Sequence, residues 1–179
     1  MLAIASLLNT FPKENSGYLW KSLISQCEMA GVQLAPLPHF SWHVSENYKL
    51  DDVENILYEL SKTLTPFIIK TTGLGIFTGS EPVIYFPIVK TRKLLEIHEQ
   101  LWDRLSSCST GISPFYSINQ WIPHITLISD LTTPQKIGCA ISDLCALSFE
   151  IELLVNNIAL IYKIDNHSGI MSKFQLLST

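Results

Sequence analysis

Apolar and polar positions divide the chain into alternating strand and helix patterns. Residues 2–8 form a short, nearly all-apolar run closed by Asn9 and Pro12, which predicts a buried strand. Over 18–31, Leu19, Leu23, Cys27 and Ala30 recur at spacings of four, four and three before Gly31, the pattern of a helix ended by glycine. Beyond Ala35-Pro36-Leu37-Pro38, polar His39, Ser41, His43 and Ser45 alternate with apolar Phe40, Trp42 and Val44, which predicts a strand with one polar face. A second helix opens at the acidic turn Asp51-Asp52-Val53-Glu54 and carries Val53, Ile56, Leu57, Leu60 and Leu64 at helical spacing.

Two strand-like runs, 67–77 and 82–89, flank the four residues 78–81 and predict a hairpin. A third helix starts near Thr91, with Leu94, Leu95, His98, Leu101, Trp102 and Leu105 on its face. A loop containing Gly111 and Pro114 leads to a strand over 121–128, alternating around His124 and Thr126. Thr133-Pro134 opens a fourth helix that carries Ile137, Ala140, Ile141, Leu144 and Cys145 and ends near 147. The tail reads as two strands, 149–162 and 170–177, around a turn at 165–169. This order is an α+β pattern whose second part echoes its first, and it predicts one domain over 1–179 made of two pseudo-symmetric lobes.

Composition narrows the possibilities. With 47% apolar and 16% charged residues, the 179-residue chain has enough material for a core and too little charge for disorder. No stretch approaches 18 consecutive apolar residues, and the run at 2–8 has neither a basic residue before it nor a cleavage pattern after it, so a soluble, cytoplasmic, monomeric protein without membrane contact is expected. A net charge of -4 argues against a grip on long duplex nucleic acid but leaves a small or terminal phosphate as a ligand. Cysteines at 27, 108, 139 and 145 show no C-x-x-C, so neither a disulfide nor a zinc cluster is expected.

The feature that points to chemistry is a repeat. Leu37-Pro38-His39-Phe40-Ser41 and Ile122-Pro123-His124-Ile125-Thr126 both read apolar, Pro, His, apolar, hydroxyl. On a strand, residues i and i+2 project from one face, so each copy aims an imidazole and a hydroxyl the same way. Two such strands side by side would suit a phosphodiester. One imidazole takes a proton from attacking water, the other protonates the leaving oxygen, and Ser41 and Thr126 bind the non-bridging oxygens, with no metal or other cofactor. Hydroxyl neighbours are poor metal ligands, which disfavours a metal site.

Paired H-x-[ST] strands about eighty residues apart in a chain of this size resemble the 2H phosphoesterase superfamily, which includes the bacterial 2'-5' RNA ligase-like proteins. The resemblance implies a bilobal fold with antiparallel sheets around a central cleft, and hydrolysis or formation of 2',3'-cyclic or 2',5' phosphodiester bonds at nucleotides or short RNA ends. It carries over to His39, Ser41, His124 and Thr126. His43-Val44-Ser45 is a second H-x-S on the same predicted strand. His39 is favoured because Pro38-His39 copies Pro123-His124, and in that register His43 matches Ile128. His43 is then expected to line the cleft as a phosphate-contacting group, with a plain strand histidine as the alternative. His98 reads as a boundary histidine and His167 as an exposed turn residue. Phe77, Tyr85 and Tyr162 are candidates to stack on a base, or else sheet packing. A nucleotide-binding module without catalysis, and a ligase running the reaction backwards, are the competing functions.

Overall fold

A computed structural model describes residues 1–8, 27, 38–129, 133–164 and 167–177. Ten strands and three helices occur among them. They are β1 (Leu2–Leu7), β2 (His39–Tyr48), α1 (Leu50–Ser61), β3 (Phe67–Lys70), β4 (Gly75–Phe77), β5 (Val83–Pro87), α2 (Arg92–Ser106), β6 (Ser109–Ile112), β7 (His124–Ile128), α3 (Pro134–Leu144), β8 (Glu152–Val155), β9 (Asn157–Ile164) and β10 (His167–Gln175). The helix expected over 18–31 lies outside the described residues apart from Cys27. No helix among the described residues is long and apolar enough to cross a membrane.

The strands form three antiparallel sheets, ordered β10-β9-β1-β2-β6, β4-β5-β7 and β3-β8. Two runs that looked continuous are divided between sheets. The run 67–77 breaks at 71–74, where Gly73 takes a φ of 62°, so β3 pairs with β8 while β4 forms the hairpin with β5. The tail run likewise separates into β8 and β9. Residues 109–112, expected as loop, extend the large sheet as β6, held against the far end of β2 by Ser45↔Ile112 and Asn47↔Thr110.

α2 starts where the Thr91 side chain accepts the Leu94 N–H, and α3 where Thr133 accepts the Lys136 N–H, as their N-cap residue types predict. One apolar core joins Phe40 and Trp42 of β2, Phe86 of β5, Ile125 of β7, Val53 and Leu57 of α1, and Leu94 and Leu101 of α2. Cys27 and Cys139 form a disulfide with a Cα–Cα distance of 5.6 Å, which corrects the expectation of reduced cysteines. Motif spacing reports only near neighbours, whereas the fold brings together two cysteines 112 residues apart.

Asn157, fully buried, fastens the end of β1. Its Oδ1 accepts the Leu7 N–H at 2.9 Å and its Nδ2 donates to the Leu7 carbonyl at 2.7 Å, so the side-chain amide completes what a neighbouring strand would otherwise supply. Asn157→Ala strands both backbone groups and is expected to cost about 2–4 kcal/mol in urea unfolding. An unchanged midpoint would show that Leu7 finds other partners. Leu7 lies opposite His39 in the sheet, so this amide also steadies the start of the first motif strand.

Candidate active site

The two H-x-[ST] copies are built alike, one in each of the larger sheets. The proline before each histidine opens its strand, where a missing N–H is harmless, and its carbonyl accepts a backbone N–H: Pro38 from Leu8 at 2.8 Å, Pro123 from Ile88 at 2.9 Å. Each strand then carries a bulge one residue after the hydroxyl. On β2, Ala5 faces Ser41 and Ile4 faces His43, leaving Trp42 as the extra residue. On β7, Tyr85 faces Thr126 and Ile84 faces Ile128, leaving Leu127 as the extra residue.

These bulges decide which histidine belongs to the motif. A bulge shifts the two-residue period by one, so every later side chain changes face. His39 and Ser41 share a face with Leu7 and Ala5, beside the small apolar cluster that includes Ala159 and Ile161. His43 falls on the other face with Ile4, in the core, and is fully buried, as is its counterpart Ile128. The expectation that His43 lines the site with His39 is therefore corrected: its Nδ1 meets the Tyr48 hydroxyl at 2.6 Å and its ring lies 5.1 Å from Trp102.

His124 and Thr126 face outward on β7, both half-buried, above buried Ile125 and Leu127. The His124 Nδ1–H donates to the Ile122 carbonyl at 2.6 Å, because a carbonyl only accepts, and this leaves Nε2 as the nitrogen that exchanges a proton. Burial pushes the His124 titration below its ordinary value; the bond to Ile122 opposes this and the nearby charge of His39 adds to it. His39 and His124 thus come within electrostatic reach of each other from separate sheets.

Phe77 and Tyr85, candidates for stacking on a base, pack against His124. Their rings stack on each other at 4.1 Å, with Phe77 edge-on to His124 at 4.9 Å and Tyr85 at 5.1 Å. Gly75 makes room for this, since a Cβ there would overlap the Tyr85 ring. Gly75→Ala must displace Tyr85 and loosen His124, and a loss of roughly tenfold to a hundredfold in kcat is expected from steady-state kinetics. Unchanged kcat would show that the aromatic pair does not position His124. Tyr162 sits on β9 opposite Leu2 and Gly169, in the large sheet.

Three residues near the first motif carry no sequence signal of a role. The Trp121 indole N–H donates to the Ser41 carbonyl at 3.0 Å, and its ring stacks on Trp42 at 5.5 Å and on His98 at 3.9 Å. His98 is fully buried rather than at the boundary, and its Nε2–H donates to the Tyr116 carbonyl at 3.0 Å. Burial pushes the Tyr116 phenol up in pKa, and the nearby Ser41 side chain opposes this. His167 is exposed, as expected, but begins β10.

The chain is similar to several known proteins. A "putative phosphoesterase" of Bacillus licheniformis is 25% identical over 134 residues, spanning 73% of this chain and 75% of the relative. The crystal structure of TT0787 from Thermus thermophilus superposes with a TM-score of 0.66 at 19% identity, covering 98% of this chain and 97% of the other. That of E. coli LigT complexed with 3'-AMP superposes with a TM-score of 0.56 at 12% identity, covering 99% and 98%. These two structural likenesses speak for the fold. The model of the 2'-5' RNA ligase superfamily matches residues 31–167, a span that holds both motif strands, and the chain belongs to that superfamily, within the 2H phosphoesterases.

Proposed function

We propose that this chain is a metal-independent phosphodiesterase acting on 2',3'-cyclic or 2',5' linkages of nucleotides or short RNA ends, in a single domain whose two sheet-based lobes meet at the site. The observation that carries this reading is the shared construction of the two motif strands, with His39 close enough to bear on the titration of His124. A pair of imidazoles with a hydroxyl beside each supplies what an in-line displacement at phosphorus requires.

For a cyclic phosphate, water oxygen bonds to phosphorus while His124 Nε2 takes a water proton. The bond from phosphorus to one ribose oxygen breaks, and His39 gives that oxygen a proton. Solvent exchange then resets both rings. The assignment of base follows from His124 being held neutral with Nε2 unprotonated, the state in which it can accept. Ser41 and Thr126 donate to the non-bridging oxygens, where charge grows in the transition state. Ligation would place the 5'-hydroxyl of a second strand where water stands. Its oxygen bonds to phosphorus and loses its proton to one ring, while the bond to the 3' oxygen breaks and that oxygen takes a proton from the other, leaving a 2',5' linkage.

The test is incubation with a panel of 2',3'-cyclic nucleotides and 2',5'-linked dinucleotides in excess chelator, with products identified. Monoester product in chelator is the expected result. Binding without product would favour the non-catalytic module, and activity restored only by added metal would overturn the metal-free mechanism.

A further inference from the structure

Among the described residues, the first half of β2 has a strand on one side only. β1 pairs along it, but β6 pairs with Ser45, Asn47 and Tyr48 alone, so the second edge at Ser41 needs a partner from elsewhere. Trp121 supplies it, donating its indole N–H to the Ser41 carbonyl at 3.0 Å. The indole is held where it can do so. It is buried, and it stacks on His98 at 3.9 Å, 10° from parallel, and on Trp42 at 5.5 Å. Both neighbours are fixed in turn, Trp42 by donating its own N–H to Ser6 Oγ at 2.9 Å and His98 by the Tyr116 carbonyl at 3.0 Å.

Trp121 also stands three residues before His124, in the segment that enters the second motif. The next carbonyl, that of Ile122, accepts the His124 Nδ1–H at 2.6 Å. Pro123 has one backbone torsion fixed by its ring, and its carbonyl accepts the Ile88 N–H at 2.9 Å, so the segment has little freedom to turn. An unbroken path therefore runs from the backbone of one motif to the imidazole of the other: Ser41 carbonyl, Trp121 indole, the Trp121–Ile122 peptide, Ile122 carbonyl, His124 ring. We propose that Trp121 is a positioning residue of this site, its indole N–H tying the first motif strand to the segment that aims His124 and so setting where the His39 and His124 rings stand relative to each other. The inference rests on the phosphodiester reading given above and adds a role for a residue outside both H-x-[ST] pairs. In-line displacement needs its acid and base placed on either side of one phosphorus, and a misplacement of about 1 Å can cost on the order of a hundredfold in rate.

Two replacements at position 121 test it. Trp121→Phe removes the N–H and part of the ring, whereas 3-benzothienylalanine at 121 keeps the bicyclic stack and puts sulfur where the N–H was, so it separates the lost bond from lost packing. On 2',3'-cyclic AMP in chelator, the benzothienyl protein is expected to lose about tenfold in kcat with KM little changed, and Trp121→Phe at least as much. A second readout needs no substrate. The His124 titration is followed by NMR with and without His39→Ala, which should raise it by removing a like charge. In the benzothienyl protein that rise should be clearly smaller, because the two rings no longer keep their separation. A role in packing alone would leave it unmoved. Wild-type kcat in the benzothienyl protein, or an undiminished rise, would overturn the proposal. If the wild-type chain turns over neither cyclic nor 2',5'-linked substrates, the phosphodiester reading fails, and the tie is judged on the titration alone: a diminished rise upholds it and an undiminished one overturns it.

Discussion

His39→Ala and His124→Ala are each expected to lower kcat on a 2',3'-cyclic nucleotide by about 10²–10⁴-fold while leaving the fold intact, because each removes one of two positioned proton-transfer groups. Both rings are half-buried on the outward faces of their strands, so their loss opens no hole in the core. The pH profile separates the roles. Activity rises as His124 loses its proton, and since burial and the neighbouring His39 lower that titration, the acidic limb should fall below the ordinary histidine value of about 6.5. In His124→Ala the acidic limb should vanish from the residual activity, and in His39→Ala the alkaline limb should vanish. Full activity in both single variants would sink the acid-base pair, and an unchanged acidic limb in His124→Ala would reverse the assignment of base.

That the two motif strands can be named from sequence follows from how they are encoded. Pro, His and hydroxyl at fixed offsets in two strand-period segments are local signals, and local signals survive folding. What escapes the sequence is non-local. Strict alternation over 39–45 carries no mark of the extra residue at Trp42, so period two places His43 beside His39 when the bulge sends it to the opposite face. Gly73 likewise breaks an apolar run that periodicity joins, and the two pieces pair with different strands. β6 is four residues of Ser-Thr-Gly-Ile, with no alternation to announce it, and it exists because β2 offers an edge. Tyr116, Trp121 and His98 gain their significance only from the partners that the fold supplies. The disulfide is of the same kind, a contact between positions that no spacing rule connects.

His43 and His98, the two histidines that the fold buries fully, should make the protein's stability fall in acid. Burial pushes each down to about 4, and in His43 the charge of His98 adds to the effect. Lys90 presses His98 the same way, against the pull of the Tyr116 and Trp42 backbone, which favours its charged form. Among the described residues, His43 Nε2 and His98 Nδ1 are buried with no hydrogen-bond partner, so a charge there would be poorly solvated. Above about pH 6.5 both rings are neutral whether the chain is folded or not, and they cost nothing. As the pH falls from about 6.5 towards 4, the unfolded chain binds two protons that the folded chain refuses, and stability drops by up to about 1.4 kcal/mol per pH unit per histidine before levelling off below. Urea unfolding at intervals between pH 7.5 and 4 should therefore show a falling unfolding free energy, and the fall should be shallower in His43→Gln and His98→Gln even if each starts lower at pH 7.5. A flat profile through that range would mean that the folded protein hydrates these rings. Because His98 lies face to face with Trp121, which holds the Ser41 carbonyl, protonation there also disturbs the packing behind the first motif strand.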